Sequence, residues 1–304
     1  MTEMTEMTDT SKKIIVPVDF SKCTENTLNE AIMLSKQING IIHLVNVIEF
    51  TDWWNNLIVN KEARDKLQEL ALENLSKLIE NYTDTKFETV VLFGRRHEQL
   101  LKYADETNAD FILLYDKHKD EDDHKIIGST VTHIITESKC PVITIKNKIV
   151  DEIKNIIVPV DLSDHTELQL NSVIEFNKTI NAHLHFVSVL FKGFGTRNLR
   201  IMAKAQQLKS KLKELDMPFT VSLIKKKKTY AYQDILTFVE EENADLVIIM
   251  THKENYSFDN YIGAFAHQII NYSKAPVMTI TSHAAHSGKS NLMNKFVDPL
   301  GIFE

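Results

Sequence analysis

Ile14-Ile15-Val16-Pro17-Val18-Asp19-Phe20-Ser21 returns 142 positions later as Ile156-Ile157-Val158-Pro159-Val160-Asp161-Leu162-Ser163, with seven of eight residues identical. The run is short, apolar and β-branched, and it stops at Asp and Ser. That is the pattern of a buried strand running into a loop. Three further matches follow in the same order. Residues 39–48 return as 181–190 at the same offset, 108–114 return as 243–249 at an offset of 135, and 133–145 return as 268–280, with 8 of 13 identical. Four collinear matches define two copies of one unit. The fall from 142 to 135 places a seven-residue deletion in the second copy, between 190 and 232. A unit of about 140 residues far exceeds the ~20–50 of a solenoid repeat, so each copy is a domain with its own core.

Within the first copy, residues 13–18 read as a strand and Thr24 as a cap for the helix that follows. Leu28, Ala31, Ile32 and Leu34 form the helix's apolar stripe. Asn39-Gly40 supplies a left-handed stop. Strands are expected over 41–48, 86–93, 110–115 and 141–146, and helices over 60–81, 97–107 and 127–138. Apolar strands alternating with helices imply a parallel sheet covered on both faces. A doubly wound sheet of this kind takes ligands at the C-terminal ends of its strands, where the strand order reverses. This rule brings the neighbourhoods of Asp19 and Tyr115 together in the first copy, and those of Asp161 and Met250 in the second.

The ordered set resembles the universal stress protein family: Ile-Ile-Val-Pro-Val-Asp-Phe-Ser, the strand around His43, Ala109-Asp110-Phe111, Gly128-Ser129, and Ser138-Lys139-Cys140-Pro141. The resemblance covers residues 12–147 and 153–282. It implies an α/β protein of two tandem doubly wound five-stranded parallel-sheet domains, of the adenine nucleotide alpha hydrolase-like type. The segments expected outside them are a disordered N-terminus over 1–11 and a C-terminal tail over 283–304. In nucleotide-binding members the resemblance assigns the adenosine end to Asp19 and Asp161, and the base contact to Val45 and Val187. It assigns the phosphates to a Gly-x-x-Gly, nine-residue, Gly-Ser or Gly-Thr pattern.

This chain departs from that pattern. Gly128-Ser129 matches its last part in the first copy, but Tyr115 and His118 stand where the earlier glycines belong. In the second copy Gly263 is kept, Ala264 replaces the hydroxyl residue, and Met250 and Lys253 replace the earlier glycines. Side chains there obstruct the close backbone approach that a phosphate requires. The acidic run Asp120-Glu121-Asp122-Asp123 adds repulsion in the first copy. It reads as a solvated loop, with a divalent-cation site or a surface for a basic partner as alternatives. The second copy is kinder to anions, with Lys253 and the lysine run 225–228 at one edge.

Other residues carry less. Cys23 and Cys140 make no disulfide or metal framework, and Cys140 reads as core. His118 with His124, and His283 with His286, have spacings open to a metal but read as polar loop. Of Trp53 and Trp54, one is expected in the core and the other near the crevice or an interface. No GxSxG, HExxH or paired acid–base spacing is present, which disfavours an enzyme; a slow ATPase is the remaining enzymatic alternative.

Composition bounds the partners. The 304 residues are 43% hydrophobic and 25% charged, the proportions of a globular protein, and no apolar run reaches membrane-spanning length. No secretory leader is visible, and two isolated cysteines suit a reducing cytoplasm. Residues 1–147 carry a net charge of −8 and 148–304 a net of +1. An acidic first half and an isolated lysine run give no reason to expect nucleic acid. The expectation is therefore a cytoplasmic stress-type regulator with degenerate phosphate loops, acting on an unidentified protein partner. Its two domains are expected to pair through their fifth strands, and a homodimer stays open. No cofactor is required by the sequence. The alternative is a sensor of ATP, another adenine nucleotide with Mg, or another anion, in one repeat, with the second favoured.

Overall fold

A computed structural model describes residues 11–49, 61–116, 127–146, 151–160, 166–193, 195–215, 217–251 and 262–281. The first repeat runs β1 (Lys12–Pro17), α1 (Cys23–Ile38), β2 (Gly40–Ile48), α2 (Lys61–Ile79), β3 (Phe87–Phe93), α3 (Arg96–Thr107), β4 (Phe111–Tyr115), α4 (Ser129–Glu137) and β5 (Val142–Ile145). The second runs β6 (Asn155–Pro159), α5 (Thr166–Ile180), β7 (His183–Leu190), α6 (Thr196–Lys213), β8 (Phe219–Lys225), α7 (Ala231–Glu241), β9 (Leu246–Thr251), α8 (Ala264–Tyr272) and β10 (Val277–Thr281).

The repeated motifs hold the strands in place. Asn39, Asn108, Asn181 and Asn243 all adopt positive φ, between 51° and 57°, and each closes the helix before it. Asparagine reaches this left-handed conformation at little cost. In each Asn-Ala-Asp motif the Asp then receives the start of the repeat's first strand. Asp110 accepts the N–H of Lys13 at 2.9 Å, and Asp245 accepts those of Lys154 and Asn155 at 3.0 and 2.9 Å. In the Ser-Lys-x-Pro motif, Ser138 donates to the Cys140 carbonyl and Ser273 to that of Ala275. These motifs recur because the frame needs them. The α1 start differs from expectation: the helix opens at Cys23, so Thr24 lies inside its first turn and is not its cap.

Within each repeat all strands are parallel, in the orders β3-β2-β1-β4-β5 and β10-β9-β6-β7-β8. β5 and β10 then pair antiparallel, Val142 opposite Thr279 and Thr144 opposite Val277, so the two halves form one ten-stranded sheet. Two hydroxyls bond reciprocally across the seam: Thr144 donates to the Val277 carbonyl at 3.2 Å and Thr279 to that of Val142 at 3.1 Å. Pairing these strands removes the edge that each half would otherwise present. Gln37 on α1 also bonds both backbone groups of Ile153, ahead of β6.

Two cores line the sheet, and each runs through both repeats. On one face Ile14, Leu44, Ile156 and Phe186 meet α1, α2, α5 and α6. On the other Ile15, Val45, Ile157 and Val187 meet α3, α4, α7 and α8. Neighbouring residues such as Ile14 and Ile15 face opposite ways, as strand geometry requires. Burying each such side chain contributes about 1.5–3 kcal/mol.

The length difference between the repeats resolves into two changes. Phe87 answers to Phe219, an offset of 132, whereas Asn108 answers to Asn243 at 135. Ten residues are therefore missing before β8, and three are added between β8 and α7. The sequence alone had shown only the net seven.

Candidate functional site

The crevice expected from the winding lies where β1 and β4 run side by side, Ile14 opposite Phe111. β1 ends at Pro17, level with Val45 of β2. The chain stays tied to β2 for one more residue, with the Val18 N–H donating to the Val45 carbonyl at 2.9 Å and Asn46 Nδ2 donating to the Val18 carbonyl at 2.8 Å. Asn46 is buried and was overlooked in the sequence; a polar residue inside an apolar strand was its signal. Asp19 then emerges into solvent. Its Oδ1 accepts the Ser21 N–H at 3.0 Å and the Thr24 hydroxyl at 3.3 Å, so this carboxylate organises its own turn. Phe20 beside it is exposed and holds φ at +55°. For a bulky residue that conformation is strained, a feature that gathers at functional edges.

Val45 and Val187 have no exposed surface, and both lie in the core of their sheet face. Tyr115, the last residue of β4, and Met250 on β9 are half-buried and pack against the opposite core. Gly128 and Gly263 precede α4 and α8 with ordinary φ values of −58° and −48°. Among the described residues a Cβ added at either would meet nothing within 4 Å, so neither their backbone conformation nor the described packing requires a glycine. Ser129, the first residue of α4, is exposed. Asp161 and Lys253 lie outside the described residues, as do the acidic run 120–123, His118, His124, Trp53, Trp54 and the tail from 282.

Polar groups of the second repeat meet the ends of β4 and β5 in the first. Asp116, directly after β4, is buried and donates its N–H to the Ile145 carbonyl at 3.0 Å. His267 of α8 lies near it. Burial pushes that imidazole below the usual histidine range, and Asp116 pulls it partly back. Asn271 Nδ2 meets His267 Nδ1 at 3.0 Å, and the Lys146 ammonium donates to the Asn271 carbonyl. At the opposite seam end the counterpart of Asp116 is Thr251, and Thr281 donates to the Ser138 carbonyl at 2.9 Å. This group was not legible in the sequence, because its members lie up to 155 positions apart.

Two histidines sit deeper in the sheet. His43 is buried, with Nδ1 2.8 Å from the Tyr103 hydroxyl and 3.4 Å from Glu88. His185 is its counterpart, 3.8 Å from Glu242. Burial lowers both imidazoles. Cys23 opens α1 and is half-buried, while burial pushes the Cys140 thiol up to about 11, which makes it unreactive. Among the described residues no group of three or more His, Cys, Asp or Glu is placed to hold a metal ion. Among them, too, no helix is long and apolar enough to cross a membrane.

Known proteins agree with this architecture. A universal stress protein from Archaeoglobus fulgidus superimposes over 90% of this chain and 99% of its own, with a TM-score of 0.68 and 20% identity. That likeness speaks for the fold. Two universal stress proteins of Methanocaldococcus jannaschii are 27% and 23% identical over 45% and 44% of this chain, and 96% and 82% of their own lengths. Each therefore corresponds to about one repeat. The universal stress protein family matches residues 10–146 and again 152–281, so this chain belongs to that family as a tandem two-domain member.

Proposed function

We propose that this protein is a regulatory universal stress-type protein that acts mainly through protein contacts, with phosphate loops that have lost their glycine pattern. The observation that carries this reading is the complete burial of Val45 and Val187. A side chain can pack on an adenine only if it has surface to offer. Support also comes from Asp19, whose carboxylate is engaged by its own turn, and from Tyr115 and Met250, whose side chains occupy glycine positions. Cytoplasmic location belongs to the same proposal. The test is denaturing extraction of freshly purified protein with mass spectrometry of what is released, followed by thermal melts in millimolar Mg-ATP. An empty extract and an unchanged melting temperature are expected. Near-stoichiometric nucleotide overturns the reading, since a ligand at 100 times its Kd stabilises by about 2.7 kcal/mol.

One observation favours a second reading, an adenine-nucleotide or other anion site in one repeat. Gly128 and Gly263 are kept although, among the described residues, nothing lies within 4 Å of a Cβ built at either. Open backbone at a helix start suits an anion. The second repeat is favoured, because it lacks the acidic run and carries Lys253. In calorimetric titration with Mg-ATP, Asp161→Ala is then expected to weaken binding more than Asp19→Ala. Equal effects would remove the preference for repeat two.

A further inference from the structure

The turn from β8 to α7 is where repeat two gains its three residues. It carries Lys226, Lys227 and Lys228 directly after Lys225. The turn is held from beneath. Asp234, buried on α7, accepts the N–H groups of Lys227 and Lys228 at 3.2–3.3 Å, and the Lys226 N–H donates to the Leu190 carbonyl at 2.8 Å. The backbone is thereby fixed, while the Lys225, Lys227 and Lys228 side chains are exposed and Lys226 is half-exposed. Two of these are steadied by neutral neighbours: Lys226 lies 5.7 Å from the Phe191 ring, and Lys228 donates to the Thr237 hydroxyl at 2.7 Å. Among the described residues, none of the four ammonium groups is within ion-pair distance of a carboxylate. The matching turn of repeat one is neutralised internally, Arg95 on Glu98 and Arg96 on Glu49, both at 3.3 Å.

Beside the lysines stands a row of tyrosines. Tyr230 and Tyr232 are parallel within 17°, with centroids 5.8 Å apart, and Tyr232 and Tyr272 within 19° at 6.2 Å. These spacings exceed the ~3.5–4 Å of direct face contact, so the rings are slipped like stair treads. Tyr230 is 59% exposed and Tyr272 41%. In repeat one the corresponding positions are Arg95, His97 and Glu137, and no such row exists there.

We propose that this face of repeat two binds single-stranded nucleic acid, with the lysines on phosphates and the tyrosines under unpaired bases. Cations beside exposed aromatic rings, Tyr230 foremost, are the two elements that sequence-tolerant binding of single strands requires. A duplex hides its base faces, and an acidic peptide offers no planes to stack. The lysine run alone gave no reason to expect this partner; the tyrosine row, brought together from α8 and the α7 start, supplies it. The inference is independent of the reading above, which concerns the strand-end crevices.

The test is fluorescence anisotropy of the full chain with a labelled short oligouridylate, across a salt series. Saturable binding is expected, with a log–log salt slope of about −2 to −3 for three or four phosphate contacts on a single strand. K226E/K227E is expected to weaken binding at least tenfold. Tyr230→Ala is expected to weaken it roughly tenfold with the slope unchanged, as loss of one stacked base does, and Tyr230→Trp to restore it. K66E/K77E alters net charge equally on α2, at lysines already paired with Glu62 and Glu73, and is expected to change nothing beyond about twofold. Absence of saturable binding overturns the proposal. So does an equal loss in the two lysine double variants, equal affinity for a duplex of the same length, or equal competition by polyglutamate. Tyr230 is exposed, so its variants should keep the wild-type melting temperature, which checks the fold.

Discussion

In repeat one, β3 leaves the sheet through Gly94 and Arg95, and the first turn of α3 ties its own charges into ion pairs. In repeat two, β8 leaves through five residues, a buried carboxylate holds the turn, and four lysines stay unneutralised among the described residues. The seam ends differ in the same sense: Asp116, Lys146, His267 and Asn271 gather at one, threonine hydroxyls at the other. The frame residues, by contrast, are shared almost position for position. Two copies of one fold thus keep what holds the strands and diverge at an exposed turn, where a substitution costs little stability, and at the buried seam ends, where each end has its own set of polar partners.

The largest expected effect probes what the copies share. Leu44 and Phe186 occupy equivalent, fully buried places on the same sheet face. Leu44→Ala is expected to cost about 2–5 kcal/mol and Phe186→Ala about 3–5 kcal/mol in urea unfolding. Because the sheet and both cores run through the two repeats, each variant should shift one common transition. Two separated transitions would show that the halves unfold independently.

Asp234 and Gln99 come next, since they are equivalent residues with unequal duties. Asp234→Ala leaves the Lys227 and Lys228 N–H groups without their acceptor, and about 1–3 kcal/mol of stability should be lost. Gln99 only packs beside Gly94, whose φ is +136°, so Gln99→Ala should stay within about 0.5 kcal/mol. Similar losses in thermal unfolding would contradict the distinction between the two turns.

Across the seam the comparison predicts equality. Thr144→Val and Thr279→Val each remove one of two reciprocal hydrogen bonds, at about 0.5–1.5 kcal/mol apiece. A clear inequality between the two denaturation midpoints would mean that the seam is not symmetric at its centre.

The smallest effect is one of pH. Folding lowers the pKa of His43 and of His185, so the unfolded chain takes up protons first as the pH falls. Stability should therefore drop as the pH falls below about 6.5, the unfolded imidazole value. His43→Gln should flatten that acid slope more than His185→Gln, because His43 is the more deeply buried. A slope steeper in either variant than in the wild type would reverse the sign.

Much of the fold was legible beforehand for a local reason. Apolar runs, helical stripes and Asn stops act within a few residues, and all the expected strands and helices of repeat one lie within about two residues of their places. The site was less legible. Asp19 is marked in the sequence by its place after an apolar strand, whereas the turn contacts to Ser21 and Thr24 that orient its carboxylate are seen only in the fold. Asp116, Asp234 and Tyr272 were passed over because nothing adjacent in sequence marks them.

The sequence by itself determined that there are two copies of one βα unit, the order and direction of strands inside each copy, and the caps that end their helices. These follow from periodicity and backbone preference along short stretches. The fifth-strand pairing that the sequence led one to expect is the one observed, β5 against β10; only the tertiary structure decided where ten residues are missing and three added, and which polar groups share the seam. It alone set three tyrosines in a row beside four lysines. Such outcomes depend on residues tens to more than a hundred positions apart meeting in one packed arrangement, and no local propensity encodes that meeting.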